Sequence, residues 1–542
     1  MDLFQPVKVA LLWTGQLLNV TLPFFAFRGS HSLSYSTQDE FIARCGSFIH
    51  EASIPGATIH FSQYLTTGTN LSLSENHPSC GVSHWIVPTD MCRVAMSVPT
   101  SDTSEMSVEA WFPYNYAGRY LTTTNRGLGG CILYNEIDYS SSLGFASIGM
   151  NSGYNGSSAA PILNNPNAME DYAYRSAHTG TVAGKELTKL FYGSPARKSY
   201  YLGCSSGGRQ GFKEAQDFPG DFDGILAGAP AIALNRVVAW GGYLSQAVGS
   251  PDSDTFITAE NWALVNDEVL RQCDKLDGAV DGLLENPDLC HFVPEVLLCT
   301  HGRKKGCLTS KQAETVRTIF SPLYDLDGQL FYPRMPPGIN TKLEVPFYLN
   351  GQPSFLTEDW FRYVVYNDTT WDGRTFSRKD AAVALAQNPF NVETWKGDLS
   401  AFAARNGKLL SYHGLQDFVI PAEISQMYYA HVARTMSLTP PDLDKFYRLF
   451  MVSGMDHCRE GDGAWVIGQD QTSRGRTKPN QNALMALVRW VEEGVAPEVL
   501  RGAKLAKDGV TPEYWRAHCK WPQMNRYIGP GAPTNESSWA CS

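Results

Sequence analysis

The chain has 542 residues, too many for one small core, so two structural units are expected. Hydrophobic residues make up 43% and charged residues 18%, the balance of a soluble globular protein. The net charge of −10, with no basic stripe, argues against nucleic acid as a partner.

At the N-terminus, residues 9–27 (VALLWTGQLLNVTLPFFAF) form an apolar run interrupted by Gly15, Gln16, Asn19 and Pro23, with Lys8 ahead of it. Residues 1–30 have the outline of a secretory signal without a clear small-residue cleavage site, and are too polar for a membrane span. Elsewhere no run approaches the ~18 apolar residues that a span needs, so no stable membrane association is expected. The 12 cysteines contain no C-x-x-C pair, which disfavours zinc ribbons and thioredoxin-type sites. An even, dispersed set predicts six disulfides formed in an oxidising compartment. Five sequons, at Asn19, Asn70, Asn155, Asn367 and Asn535, agree with a secreted, extracellular glycoprotein.

From about residue 90 the pattern is α/β. Strands are expected at 93–98, 108–112 and 145–150. A helix is expected at 180–192, followed by strands at 198–202 and 223–227. Two late strands are expected at 408–413 and 446–452. Strands alternating with helices predict a largely parallel sheet covered on both faces. Between about 232 and 396 the rhythm is lost. That stretch holds four closely spaced cysteines and a Pro-rich patch, and is expected to be an insertion lying over the strand ends as a lid. Its aromatics Trp360, Phe361, Tyr363 and Tyr366 are expected to form lid core.

The strand at 198–202 runs into Gly203-Cys204-Ser205-Ser206-Gly207, a G-x-S-x-G nucleophile elbow. Glycines on both sides let neighbouring backbone approach, and the following helix N-terminus favours developing negative charge. A serine hydroxyl needs a base, and the chain order in this fold is Ser, acid, His. Asp417 follows the 408–413 strand and His457 follows the 446–452 strand, placing both on the sheet edge that carries Ser205. His413 is a rival base, and Asp456 and Asp462 are rival acids. The oxyanion is expected to meet the amide of Ser206 and an amide near Gly127 or Leu128, in the loop Asn125-Arg126-Gly127-Leu128-Gly129-Gly130-Cys131. If Cys204 and Cys458 are bonded, they staple the backbone beside the nucleophile to the backbone beside the base.

The run Asp274-Lys-Leu-Asp277-Gly-Ala-Val-Asp281-Gly-Leu283 places three carboxylates and two Asp-Gly turns within ten residues. Such a loop can wrap oxygen ligands around a hard cation, with calcium preferred, although the spacing is not that of an EF-hand.

The Cys-Ser pair, the downstream Asp and the His-Cys pair resemble the fungal tannase and feruloyl esterase family. So do Ile54-Pro-Gly-Ala-Thr-Ile59, Gly127-Leu-Gly-Gly-Cys131, Phe222-Asp-Gly-Ile-Leu-Ala-Gly-Ala-Pro230 and Tyr412-His-Gly-Leu-Gln-Asp417. Arg126 departs from the glycine more usual in that family. The resemblance implies an α/β-hydrolase fold, with a catalytic domain from 31–231 and 397–542 and a lid from 232–396. It implies a serine esterase acting on aromatic acyl esters of plant material, either free small molecules or linked to polysaccharide. Feruloyl esters come first and galloyl esters second; a non-catalytic binding protein is the remote alternative. It also implies a structural Ca2+ in the lid, held by the side chains of Asp274, Asp277 and Asp281 and the carbonyls of Ala279 and Leu283, and no organic cofactor. The implied disulfides are Cys204–Cys458, Cys45–Cys92, Cys80–Cys131, Cys273–Cys290, Cys299–Cys307 and Cys519–Cys541. The oligomeric state stays open.

Overall fold

The computed structural model describes residues 37–542 apart from 301, 303, 304 and 340; the expected signal segment 1–30 and the sequon at Asn19 lie outside the described residues. A nine-stranded sheet organises the molecule. Its strands are β1 (Thr58–Leu65), β2 (Met91–Ser101), β3 (Ser104–Pro113), β4 (Arg119–Thr123), β5 (Phe145–Met150), β6 (Lys198–Cys204), β7 (Gly224–Gly228), β8 (Lys408–Gly414) and β9 (Tyr447–Val452). Their spatial order is β1-β2-β3-β5-β4-β6-β7-β8-β9.

The sheet is mixed. The pairings β1–β2, β2–β3 and β3–β5 are antiparallel, whereas every pairing from β5 to β9 is parallel. The parallel half therefore behaves as expected and the N-terminal half does not. β1 and β4 have no counterpart among the expected strands. β1 (TIHFSQYL) is a half-exposed edge strand, and β4 is only five residues long.

Burial follows from this topology. β5, β7, β8 and β9 are buried at every position, as a parallel sheet covered on both faces requires. Alternate residues feed two cores. Tyr201, Ile225 and Leu409 join the core beneath helices α2 (Ser176–Tyr192) and α3 (Ser206–Asp217). Leu202, Leu226 and Leu410 join the opposite core with Leu484, Leu487 and Trp490 of a late helix, Ala483–Glu493.

Residues 232–396 intervene between β7 and β8, which are nevertheless direct neighbours in the sheet. The stretch is mainly helical; among the described residues its one hairpin, Leu323–Tyr324 with Leu330–Tyr332, stands apart from the central sheet. Its two ends meet, since the Thr394 amide donates to the Ile232 carbonyl at 2.9 Å. Of the four aromatics expected in its core, Trp360 and Phe361 are fully buried, whereas Tyr363 is only part-buried and Tyr366 is exposed. Six disulfides join the cysteines in the expected pairs, and among the described residues no cysteine is free.

Candidate active site

β6 ends at Cys204 and the chain turns sharply into α3. At the turn Ser205 has φ 63° and ψ −122°, a conformation that strains a residue with a Cβ. Surrounding hydrogen bonds hold it there. The Ser205 amide donates to the Gly228 carbonyl at 3.0 Å, and its own carbonyl accepts the amides of Arg209 (2.9 Å) and Ala231 (3.0 Å). Glycine is needed at the two closest approaches: a Cβ on Gly203 would lie 2.7 Å from the Gly207 backbone, and one on Gly208 would lie 2.5 Å from the Gly228 carbonyl oxygen.

Asp417 lies just beyond β8 and His457 just beyond β9, at the same C-terminal edge of the parallel strands as Ser205. His457 Nδ1 is 2.8 Å from Asp417 Oδ2. Asp417 is fully buried, and its Oδ1 accepts the amides of Val419 and Ile420 at 2.9 Å each. Burial by itself pushes the Asp417 carboxyl up. Attraction to the His457 ring whenever it is protonated, together with hydrogen bonds from His413 and His457, outweighs burial and holds the carboxyl well below the usual carboxylate range. An ionised Asp417 accepts only, so His457 Nδ1 carries the proton and a neutral ring presents Nε2 as a base.

The Cys204–Cys458 disulfide joins residues 254 apart in sequence, with 6.3 Å between their Cα atoms. One partner precedes Ser205 and the other follows His457. The two sulfurs and a ring nitrogen of His457 lie within 4.8 Å of one another. Oxidised sulfurs are not thiolates, so this cluster is a staple and not a metal centre. The rival assignments separate. Asp462 pairs with Gln416, through its amide (3.1 Å) and its Oδ2 (3.4 Å). His413 is fully buried inside β8 and also contacts Asp417.

The 125–131 loop is held by tyrosines that sequence reasoning missed. Tyr172 donates its hydroxyl to the Gly127 carbonyl at 2.9 Å and lies 3.3 Å from Ser206 Oγ. The Tyr154 hydroxyl donates to the Leu128 carbonyl at 2.7 Å. Tyr172 sits in a π-helical turn, Asp171–Arg175, whose carbonyls at Tyr172 and Ala173 accept from the fully buried Arg209 guanidinium of α3 at 3.0 and 2.9 Å. The 125–131 loop and the elbow helix are thereby joined through one residue. Only the concentration of aromatics in Asp171-Tyr-Ala-Tyr-Arg175 signalled this in the sequence. Arg126 pairs with the buried Glu136.

In the 232–396 stretch, the acidic loop folds on itself. Asp274 accepts the amides of Asp281 (3.2 Å) and Gly282 (3.1 Å). Asp277 accepts those of Ala279 (3.0 Å) and Glu285 (3.1 Å), and Asp281 pairs with Arg516 at 2.8 Å. Burial pushes the Asp277 carboxyl up, and repulsion from Asp281 and Asp274 adds to it. Three crowded carboxylates are the donor chemistry that a hard dication relieves. Their oxygens do not form one of the clusters of described residues that converge within 4.8 Å.

A mixed sheet whose parallel half is covered on both faces, an elbow serine at the C-terminal edge of that half and a buried His–Asp pair beside it define an α/β-hydrolase-fold carboxylic ester hydrolase. The family model for tannase and feruloyl esterase matches residues 92–344 and 351–542. The chain belongs to that family. It is 49% identical over 512 residues to a probable feruloyl esterase B-2 of Aspergillus terreus, spanning 94% of this chain and 97% of the relative. Identity to the probable feruloyl esterase B-2 of Neosartorya fischeri is 50%, over 93% of this chain and 96% of that one. The crystal structure of feruloyl esterase B from Aspergillus oryzae superposes with a TM-score of 0.90 at 46% identity, covering 93% of this chain and all of that one. A tannin acyl hydrolase from Aspergillus niger shares the fold, with a TM-score of 0.71 at 22% identity over 92% of this chain and 95% of that one.

Proposed function

We propose that the protein hydrolyses hydroxycinnamoyl esters, ferulate foremost, through an acyl-enzyme on Ser205. One observation carries the mechanism. A single disulfide pins the residue before Ser205 to the residue after His457, while His457 Nδ1 is held by a buried, ionised Asp417. Ser205 Oγ attacks the ester carbonyl as His457 Nε2 takes its proton. The Ser206 amide and an amide at Gly127 or Leu128 stabilise the oxyanion. His457 then protonates the departing alcohol, and afterwards activates water to release the acid and restore Ser205. The choice of acyl group rests on the names of relatives near 50% identity.

Calcium in the lid is part of the same reading. Asp274, Asp277, Asp281 and the carbonyls of Ala279 and Leu283 would hold it. Its contribution is to neutralise the loop, with no part in the reaction. Secretion is supported by twelve paired cysteines and by exposure of all four described sequons, Asn70, Asn155, Asn367 and Asn535. Among the described residues no helix is long and apolar enough to cross a membrane.

Two measurements test this. A serine-directed phosphonate should label Ser205 in folded protein, and absence of an adduct would sink the mechanism. Side-by-side kcat/KM on methyl ferulate and methyl gallate should favour ferulate. A preference for gallate would overturn the substrate while leaving the mechanism standing.

A further inference from the structure

Away from the catalytic edge, three ligating side chains from three segments converge. His178 comes from α2, Glu214 from α3, and Asp221 from the loop entering β7. One candidate ligand atom from each lies within 4.8 Å of the other two. His178 Nδ1 is 2.6 Å from Asp221 Oδ2. Glu214 is only 1% exposed, and no donor group reaches either of its carboxylate oxygens; burial and the neighbouring Asp221 carboxylate push its carboxyl well up. A carboxylate buried without a donor is an uncompensated group and needs a counter-charge or a proton. Lys185 acts on Glu214 by charge alone and makes no hydrogen bond to it, because its Nζ is turned onto the backbone carbonyl of Asp221.

The imidazole is already oriented. Its ring stacks on Phe218, with centroids 4.0 Å apart and planes at 15°. His178 is also the accessible member, its side chain 35% exposed, and it lines an open cavity of about 810 Å3 together with Ile54, Pro99, Val182, Lys185 and Ala196. An ion can therefore reach the cluster from solvent.

We infer that His178, Glu214 and Asp221 form a divalent-cation site for an ion of the zinc class. One imidazole nitrogen with two carboxylates is a mixed N/O donor set, which suits zinc rather than calcium. The proton now lying between His178 Nδ1 and Asp221 is released to solvent on binding, and the ring keeps its other proton on Nε2. With metal–ligand bonds of ~2.05 Å at tetrahedral angles, the two ligand atoms move to about 3.3 Å apart. A water facing the cavity completes the fourth position. The bound ion ties α2, the elbow helix α3 and the β7 entry loop together, a role separate from the ester chemistry and from the acidic lid loop.

The test uses the full chain, stripped with a chelator and returned to excess Ca2+ so that the lid loop is satisfied. Zn2+ is then titrated, with Co2+ as a spectroscopic stand-in. The wild type should bind one equivalent of Zn2+ that His178→Gln and Glu214→Gln both lose, raise its melting temperature on binding, and give a visible Co2+ absorption absent from both variants. His178→Gln should keep its ferulate esterase activity. Failure of the wild type to bind Zn2+ would mean that Glu214 and Asp221 share a proton, and would overturn the site. So would an unchanged equivalent in His178→Gln, which carries the test alone if the buried Glu214→Gln does not fold.

Discussion

His413 Nε2 lies 3.1 Å from Asp417 Oδ2, the same oxygen that accepts the hydrogen bond from His457 Nδ1 at 2.8 Å. Nε2 of His413 also faces the Ile420 carbonyl at 2.8 Å, and its Nδ1 is 2.7 Å from Ser425 Oγ. A carbonyl and a carboxylate only accept, so Nε2 of His413 carries the proton and Ser425 donates to Nδ1. His413 is a positioning residue, acting on the imidazole through Asp417. His413→Gln should lower kcat about tenfold while leaving KM unchanged, since a hydrogen bond to a charged group is worth about 1.5–3 kcal/mol. A kcat equal to wild type would remove it from the mechanism.

Removing the staple should damage catalysis more than binding. In the double variant Cys204→Ser with Cys458→Ser no stray thiol remains. A misplacement of about 1 Å between nucleophile and base costs on the order of 100-fold, so kcat should fall by about that factor with KM little changed. Loss of the cross-link should also cost about 2–5 kcal/mol in denaturant unfolding. Retained kcat would show that the triad geometry is set by the sheet alone.

Tyr172→Phe deletes one hydroxyl between the Gly127 carbonyl and Ser206 Oγ. The ring stays packed, so stability should change by no more than about 1 kcal/mol. If the loop supplies an oxyanion donor, kcat should fall about tenfold or more. A normal kcat would assign the second donor elsewhere.

The lid loop should respond to calcium. Asp277→Ala should melt several degrees below wild type in excess Ca2+, and a chelator should bring the wild type down towards the variant. Identical wild-type melting with and without chelator would exclude a bound ion.

Acid stability should depend on His518. Its ring is fully buried, with Nε2 donating to the Ala464 carbonyl at 2.9 Å and Nδ1 without a partner. Burial pushes its pKa down to about 4 from an ordinary 6.5. Between those values the unfolded chain binds a proton that the folded chain refuses. The contribution is therefore fully present above pH 6.5 and is lost as pH falls towards 4, amounting to up to about 3 kcal/mol. Urea unfolding of His518→Gln at pH 7 and pH 4.5 should show a smaller difference between the two pH values than wild type does. An equal difference would place the acid sensitivity in other groups.

The catalytic edge was legible because short motifs mark it. Gly203-Cys-Ser-Ser-Gly207, Gly414-Leu-Gln-Asp417 and Asp456-His-Cys458 each follow a run of buried apolar residues, and such runs are the clearest signal in a parallel sheet. The antiparallel half was less so. In β1 the residues of TIHFSQYL are mostly part-exposed, leaving little contrast to read. Tyr172 and Tyr154 were invisible as site residues because each acts through a tertiary contact, on residues 45 and 26 positions away, with no motif of its own; His413 was visible as a rival base, but its contact with Asp417 was not.

The insertion enters and leaves through a neck closed by the Ile232–Thr394 hydrogen bond, while β7 and β8 pair directly beneath it. Sheet and nucleophile can thus be inherited unchanged while the cassette above them is exchanged whole. The 233–393 stretch can therefore change in length and sequence between relatives without rethreading any strand of the sheet.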